Sequence, residues 1–288
     1  GTPEFAVPAL KVLLKEKLKV RDKQMAVQRK NRGKMVRVAL VGYTNVGKST
    51  LFNALTNSSK AQAANFPFCT IEPNIGVITV PDERLVALEK IVLPQKVVPT
   101  TVEIVDIAGL VKGASKGEGL GNQFLGNIRN TDAIIHVLRC FEDDNVIHVD
   151  GSVNPIRDKE VIDTELQLKD LDSVDKKIAK LEKMVKTGDR DIIRGMEVLK
   201  ELKAHLEQGK NARAYVINAE EKDKFIGDMF LLTIKPVIYV CNVDENSAVS
   251  GNKYVEQVKE LVKDENAEVI ILSVGAEADI TELESYEE

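Results

Sequence analysis

Short apolar runs rich in valine and isoleucine recur along this sequence, and each is followed by turn residues and a helix-like pattern. Runs of this length and composition are typical of buried strands in a mainly parallel sheet. Five principal runs lie at residues 36–41, 101–106, 133–138, 237–241 and 268–272, with a further candidate at 75–80. Strands that alternate with helices predict a doubly wound α/β domain, whose ligand site lies at the carboxyl ends of the strands.

Between residues 155 and about 230 the strand pattern gives way to helical periodicity. Apolar residues recur at intervals of three and four on either side of a break at residues 187–189. They are Leu171, Val174, Ile178, Leu181 and Val185 before the break, and Ile192, Met196, Leu199, Leu202 and Leu206 after it. This pattern predicts an antiparallel, coiled-coil-like helical hairpin. We interpret its apolar stripe as ordinary helix packing, with a partner-binding surface as the alternative.

The hairpin interrupts the α/β pattern between the fourth and fifth strands, which predicts three parts. Residues 35–154 and 231–288 form the α/β domain, residues 155–230 form an inserted helical domain, and residues 1–34 form a basic helical arm. The formal net charge of the 288 residues is -5, but lysine and arginine are concentrated between residues 11 and 37. The basic arm indicates either an anionic partner or a solvated helix face.

Composition favours a soluble, globular protein, since 43% of the residues are hydrophobic and 30% are charged. Cys69, Cys140 and Cys241 lack the paired spacing of zinc sites or disulfide scaffolds, so a reducing cytoplasm is the expected location. No apolar run approaches the roughly 18 residues that a membrane span needs, and no signal-peptide pattern begins the chain. We therefore expect a cytoplasmic protein without a membrane partner.

The strongest chemical motif directly follows the first predicted strand. Residues 42–50 read GYTNVGKST, which satisfies the Walker A pattern between a strand and a helix. In such a loop, expected to be exposed, backbone N–H groups wrap the phosphates, Lys48 neutralises the β and γ oxygens, and the Ser49 hydroxyl ligates magnesium. The predicted nucleotide-binding residues of this loop are Gly42, Asn45, Val46, Gly47, Lys48, Ser49 and Thr50.

A magnesium and phosphate site also needs an acid on a neighbouring strand and a sensor of the γ-phosphate. Asp106 ends an apolar strand, and Gly109 three residues later can offer its N–H to the γ-phosphate. We take Thr70, in a proline-containing loop segment, as the sensor and as a third metal ligand beside Ser49 and Asp106. An ordinary surface threonine is the alternative for Thr70.

The base-reading segment differs from that of GTPases. Residues 242–245 read NVDE after a predicted strand, where GTPases carry Asn-Lys-x-Asp. Because an aspartate there accepts hydrogen bonds from guanine, the change to Glu245 and the absence of the lysine remove the advantage of guanine. ATP is therefore expected to bind better than GTP. The predicted base contacts are Asn242, Val243, Glu245 and, after the last strand, Ser273.

The attacking water needs a group to activate it, because Leu110 occupies the position where Ras-like enzymes place a glutamine. Asn45 suggests one solution, since its amide oxygen could hold a potassium ion against the phosphates in place of an arginine finger. His148 is a second candidate, although a lone histidine in an apolar run is more often structural.

From about residue 60 to residue 288 the chain resembles the YchF, or Obg-like, ATPase family. Residues 65–74 read NFPFCTIEPN and residues 106–122 read DIAGLVKGASKGEGLGN, and both are long signatures of that family. The resemblance implies a P-loop fold of the translation-factor GTPase class, magnesium-dependent hydrolysis with ATP preferred, a helical insertion and association with the 70S ribosome or its large subunit. It implies no sequence-specific DNA partner. The family's Asn-x-x-Glu pattern agrees with the argument from Glu245.

The N-terminal part resembles other families. Residues 15–55 are similar to the ribosome-associated GTPase HflX in DKQMAVQRKNRG and GYTN, and residues 1–16 resemble the start of methionyl-tRNA formyltransferase. The chain is therefore interpreted as composite, and formyl transfer is excluded because so short a segment carries no catalytic set. A C-terminal TGS domain, usual in the YchF family, is expected to be absent. An HflX-like GTPase and a nucleotide-binding module with negligible turnover are the alternative functions.

Overall fold

The computed structural model describes residues 35–56, 73–107, 109, 113, 120–143, 146, 151–185 and 188–285. The described residues form a six-stranded sheet. Its strands are β1 (Val36–Val41), β2 (Asn74–Thr79), β3 (Thr101–Asp106), β4 (Ala133–Arg139), β5 (Val237–Asn242) and β6 (Glu268–Leu272). Every residue of β4 and β5 is buried, which explains why the sequence shows continuous apolar runs rather than alternation.

The strand order places the loop after β1 at the centre of the sheet. The order is β2-β3-β1-β4-β5-β6, and all neighbouring pairs are parallel except β2 and β3. Successive connections run to opposite sides of β1, so this loop lies at the topological switch point where doubly wound sheets bind ligands. The predicted mainly parallel α/β fold is confirmed.

Five helices accompany the sheet in the described part of the chain. They are α1 (Lys48–Thr56), α2 (Glu83–Val92), α3 (Leu120–Arg129), α7 (Lys253–Val262) and α8 (Val274–Ser285). Side-chain caps set two of their starts: Asp82 accepts from the backbone of Arg84, and Asn252 accepts from the backbone of Tyr254 and Val255. Helices α1 and α8 pack against each other.

The segment between β4 and β5 is helical, as predicted. It contains α4 (Pro155–Glu182), α5 (Arg190–Glu207) and the short α6 (Ala219–Phe225). Helix α4 begins with proline after the capping Asn154, and Asp189 caps the start of α5, so the predicted break carries a helix start signal. Val185 lies beyond the end of α4, at a position with 3-10 helical conformation just before the break.

Helices α4 and α5 pack together over their own apolar cluster. Its buried members include Val174, Val198, Leu199, Leu202 and Leu206. The first half of α4 instead contributes Ile162 and Leu166 to the core of the sheet. Helix α4 therefore belongs to both cores, and it joins the hairpin firmly to the α/β layer.

Several sequence-based predictions concern parts of the chain beyond this description. The basic arm at residues 1–34 and Cys69 lie outside the described residues, as do residues 286–288. Cys140 and Cys241 are buried and form no disulfide. Within the described ranges, no helix combines the length and the apolar character needed to cross a membrane.

Candidate nucleotide-binding site

The loop between β1 and α1 uses two left-handed backbone conformations. Asn45 has a φ of 60° and Gly47 a φ of 96°, a region that asparagine and glycine tolerate best. A Cβ on Gly47 would lie 2.6 Å from Asn242 Nδ2, and one on Gly42 would lie 2.5 Å from the carbonyl oxygen of Val137. Glycine is thus required at both positions, because any larger side chain would clash with these neighbouring atoms. A loop of this shape turns successive N–H groups toward an anion, in front of the positive end of α1.

Lys48 is the first residue of α1 and is 7% exposed. Its Nζ donates a 2.6 Å hydrogen bond to the carbonyl oxygen of Tyr43, so the ammonium lies back over the loop. Burial lowers the pKa of Lys48 to about 8, and the nearby Asp106 partly offsets this effect. The loop was expected to be exposed, but Lys48 is buried because its side chain folds against its own loop. The hydrogen bond uses one of three ammonium donors, which leaves donors suited to phosphate oxygens.

Asp106 ends β3 and is buried beside the start of α1. Ser49 Oγ donates a 2.9 Å hydrogen bond to Asp106 Oδ2, and the side chain of Asn74, its partner across β2 and β3, also bonds to this carboxylate. Burial raises the pKa of Asp106, while Lys48, Ser49 and Asn74 act in the opposite direction. The carboxylate is thus held in place from two neighbouring elements.

The side chains of Ser49 and Asp106 fit a magnesium ion. Asp106 Oδ1 is buried and has no hydrogen-bond partner among the residues that the structure describes. A carboxylate with a spare oxygen next to a serine hydroxyl offers the hard oxygen ligands that magnesium prefers. These two side chains and the nucleotide phosphates would hold the ion together, since magnesium is usually bound by one or two carboxylates plus substrate.

Gly109 lies directly against the loop after β1. A Cβ at this position would be 2.9 Å from Thr44 Oγ1, closer than real Cβ atoms approach, and 3.1 Å from Thr44 Cα, tighter than most contacts. A larger residue would push the two loops apart. The arrangement therefore keeps the backbone of Gly109 near the phosphate-binding loop, and its contact with the γ-phosphate stays a prediction.

Asn242, the last residue of β5, ties two loops together. Its Nδ2 donates a 3.0 Å hydrogen bond to the carbonyl oxygen of Val46, and its Oδ1 accepts a 3.0 Å hydrogen bond from the backbone of Val274. The side chain is buried, and it fixes the phosphate-binding loop relative to the residue after Ser273. Asn242 thus positions the phosphate-binding loop, in addition to its predicted contact with the base.

The other predicted base contacts differ in accessibility. Val243 is 2% exposed and packs in the core of the sheet, so its side chain does not face the cleft. Ser273 is also buried. Glu245 is exposed at the first position of a single 3-10 turn, which the side chain of Asp244 caps. Among these predicted base contacts, Glu245 presents the accessible side chain.

The fold brings together the predicted loop 42–50, Asp106, Gly109 and the segment that starts at Asn242. Thr70, His148 and Leu110 lie outside the described residues, so their predicted roles stay predictions. Sequence reasoning missed Asn74, and the strand register alone could have indicated its approach to Asp106. It also missed Thr44, which occupies a position that the Walker pattern leaves open.

A family model described as "50S ribosome-binding GTPase" matches residues 37–273. The chain is 54% identical over 248 residues to the "Ribosome-binding ATPase YchF" of Escherichia coli O157:H7. The matched region covers 86% of this chain and 68% of that protein. It is 50% identical over 250 residues to the protein of the same name from Bacillus subtilis strain 168, with the same coverage of each chain.

A solved structure of the YchF GTPase of Schizosaccharomyces pombe is similar over 87% of this chain and 68% of that chain. Its TM-score is 0.71 and its sequence identity is 36%. These comparisons confirm the YchF resemblance, the P-loop fold and nucleotide hydrolysis as the activity of the family. They give no support to the HflX-like and formyltransferase-like segments or to a composite chain.

Proposed function

This chain belongs to the YchF family of P-loop nucleotide hydrolases, and from that membership we propose a magnesium-dependent nucleoside triphosphatase that prefers ATP to GTP. The observation that carries the proposal is the placement of Lys48, Ser49 and Asp106 around the loop after β1, with Glu245 as the accessible residue of the base segment. We further propose that the protein acts in the cytoplasm in association with ribosomes.

Each residue of the site has a distinct task in this proposal. Backbone N–H groups of loop 42–47 bind the β- and γ-phosphates, and the Lys48 ammonium neutralises their charge. Gly109 offers its N–H to the terminal phosphate, and Thr70 adds a contact to phosphate and metal. Magnesium held by Ser49 and Asp106 would supply electrostatic stabilisation of the charge on the phosphoryl oxygens.

The contacts of α4 support a role as a nucleotide-dependent switch. Glu165 Oε1 accepts a 2.6 Å hydrogen bond from the backbone of Gly113, four residues beyond Gly109. One turn further along α4, Lys169 Nζ donates a 2.8 Å hydrogen bond to Asn122 of α3. Another turn later, Ser173 accepts a hydrogen bond from Arg129 of α3.

These three residues of α4 are four positions apart, so they form one row on the helix surface. The row contacts Gly113 and two residues of α3, and we propose that a change at the γ-phosphate moves these contacts first. Through α4 such a movement reaches the hairpin, since α4 contributes to both apolar cores. We therefore propose that residues 155–230 are an inserted domain that conveys the nucleotide state.

The ribosome is proposed as the partner because the matched family model and relatives carry that partner in their names. A ribosome-binding GTPase, favoured by the description of the matched family model, is the second candidate function. A nucleotide-binding module with negligible turnover is the third. Single-turnover hydrolysis by the purified chain separates both enzymes from the binding module, since only the enzymes release phosphate.

We expect ATP to bind more tightly than GTP by about tenfold or less, because the base segment 242–245 only lacks the lysine and aspartate that would clamp guanine. Glu245→Asp should shift the preference toward GTP, and Glu245→Gln should not. Competition of each nucleotide against a fluorescent ATP analogue measures the ratio. Adding Val243→Lys, which would restore the lysine of the GTPase pattern, would bury a charge, since Val243 lies in the core. Equal or tighter binding of GTP by the unmodified chain would contradict the proposal.

We expect hydrolysis to be slow in sodium and about tenfold faster in potassium, because a cation beside Asn45 partly replaces an arginine finger. Asn45→Gly is the sharpest variant, since glycine tolerates the φ of 60° that alanine does not. This variant should lose the potassium stimulation and keep its nucleotide affinity. Phosphate release measured in both salts tests this. Equal rates in the two salts, with a fully active variant, would exclude the cation and leave His148 or a ribosomal group as the activator.

A further inference from the structure

The phosphate-binding loop contains a buried hydroxyl that the Walker pattern does not require. Thr44 is 4% exposed, and its Oγ1 has no hydrogen-bond partner within the part of the chain that the structure describes. An unpaired buried hydroxyl costs folding free energy, so each case in a native protein calls for an explanation. A substrate group that accepts a hydrogen bond from this hydroxyl would be such an explanation.

The surroundings of Thr44 indicate which substrate group this is. Its Oγ1 lies 2.9 Å from the position that a Cβ on Gly109 would take. Its backbone neighbour Tyr43 accepts the hydrogen bond from the Lys48 ammonium. The hydroxyl therefore lies against Gly109, whose N–H is expected at the terminal phosphate, and it belongs to the residue that follows the carbonyl bonded by the Lys48 ammonium.

We propose that Thr44 Oγ1 donates a hydrogen bond to the terminal phosphoryl group of the bound nucleoside triphosphate. The inference rests on the proposed function, because it requires a triphosphate in loop 42–47. A threonine hydroxyl suits this task, since its proton rotates to meet the acceptor. A nucleoside diphosphate has no acceptor at this place, so Thr44 distinguishes the triphosphate from the product.

In hydrolysis the water oxygen forms a bond to the γ-phosphorus while the bond to the bridging oxygen breaks. The electron pair leaves with the nucleoside diphosphate, and a water proton ends on inorganic phosphate or in solvent. Thr44 gains and loses no proton over this reaction. Its hydrogen bond stabilises the charge on the equatorial phosphoryl oxygens, which is where the transition state needs donors.

The test compares Thr44→Val with Thr44→Ser in the full chain. Valine keeps the shape of threonine and removes the hydroxyl, so kcat/KM for the triphosphate should fall about 10- to 100-fold. Affinity for a non-hydrolysable triphosphate should fall relative to that for the diphosphate, whose affinity should stay within about twofold. Serine restores the hydroxyl and should recover most of both losses.

Stability of the nucleotide-free protein gives an independent readout. Because the Thr44 hydroxyl has no described partner, Thr44→Val should leave the melting temperature unchanged or raise it. Thr131 provides a matched control, since it is also 4% exposed but donates a 2.8 Å hydrogen bond to the carbonyl oxygen of Ile128 before β4. Thr131→Val should lower the melting temperature and leave kcat/KM unchanged.

The outcomes separate this inference from the proposed function. A wild-type chain without hydrolysis would overturn the proposed function itself. An active wild type with an equally active Thr44→Val would overturn the Thr44 assignment alone. A Thr44→Val variant that loses affinity for triphosphate and diphosphate equally, or that Thr44→Ser fails to rescue, would show that Thr44 only shapes the loop.

Discussion

Replacement of Lys48 by alanine should lower the affinity for a nucleoside triphosphate by about 10²- to 10³-fold, which abolishes measurable binding. The buried ammonium hydrogen-bonds to the phosphate-binding loop, and truncating one partner of a buried charge pair costs about 2 to 5 kcal/mol. Isothermal titration with a non-hydrolysable ATP analogue measures the loss. Lys48→Met is the matched control for packing, because it keeps an apolar stem of similar length, and it should lose as much affinity as alanine.

The fold should tolerate the loss of this charge. Burial lowers the pKa of Lys48 from 10.5 to about 8, so the charged form is less favourable in the folded than in the unfolded chain. Below pH 8 the buried charge therefore lowers the free energy of unfolding of the wild type, and Lys48→Met lacks this loss. The loss disappears as the pH rises from 8 to 10.5. Unchanged ATP affinity in a folded Lys48→Met protein would refute the phosphate assignment.

Asp106→Asn should reduce kcat by about 10²- to 10³-fold, because it removes the anionic oxygen that would hold magnesium, whose charge stabilisation is worth several kcal/mol. The amide keeps the size of the side chain and an oxygen that can accept from Ser49. Nucleotide affinity should become much less dependent on magnesium. Phosphate release and nucleotide titration, each with and without magnesium, measure these two effects.

The same variant should be at least as stable as the wild type without nucleotide at pH 7. Burial raises the pKa of Asp106 above 3.8, so the ionised carboxylate destabilises the folded state at neutral pH. The folded chain binds the proton of the Asp106 carboxyl more tightly than the unfolded chain does. The difference in free energy of unfolding between variant and wild type should therefore shrink as the pH falls toward 3.8. A clearly less stable Asp106→Asn protein with normal magnesium dependence would show that Asp106 is structural.

The strands and the phosphate-binding loop follow from local patterns. The predicted runs at 36–41, 101–106 and 268–272 agree with β1, β3 and β6 residue for residue, since buried parallel strands leave continuous apolar signals. The antiparallel direction of β2 was not predicted, because an apolar run does not encode the direction of its neighbour. The Walker A motif lies in one segment, so spacing alone identifies it.

Contacts between distant segments required the tertiary structure. Asn242 reaches Val46 across 196 positions, and Glu165 reaches Gly113 across 52. Cys140, the residue after β4, meets Cys241 of the neighbouring strand β5, and their hydrogen bond and burial raise the pKa of Cys140. No spacing in one segment contains this information, because strand order decides which loops meet at the carboxyl edge of the sheet.

The sequence by itself determined the fold class and the family, and it predicted the residues that would bind phosphate and metal. Only the tertiary structure decided that Lys48 and Val243 are buried, that Asn242 clamps the phosphate-binding loop, and that Thr44 faces Gly109. The physical reason is the range of the interactions. Apolar periodicity and loop motifs act within about ten residues, whereas burial and hydrogen-bond partners depend on how elements pack across the whole chain.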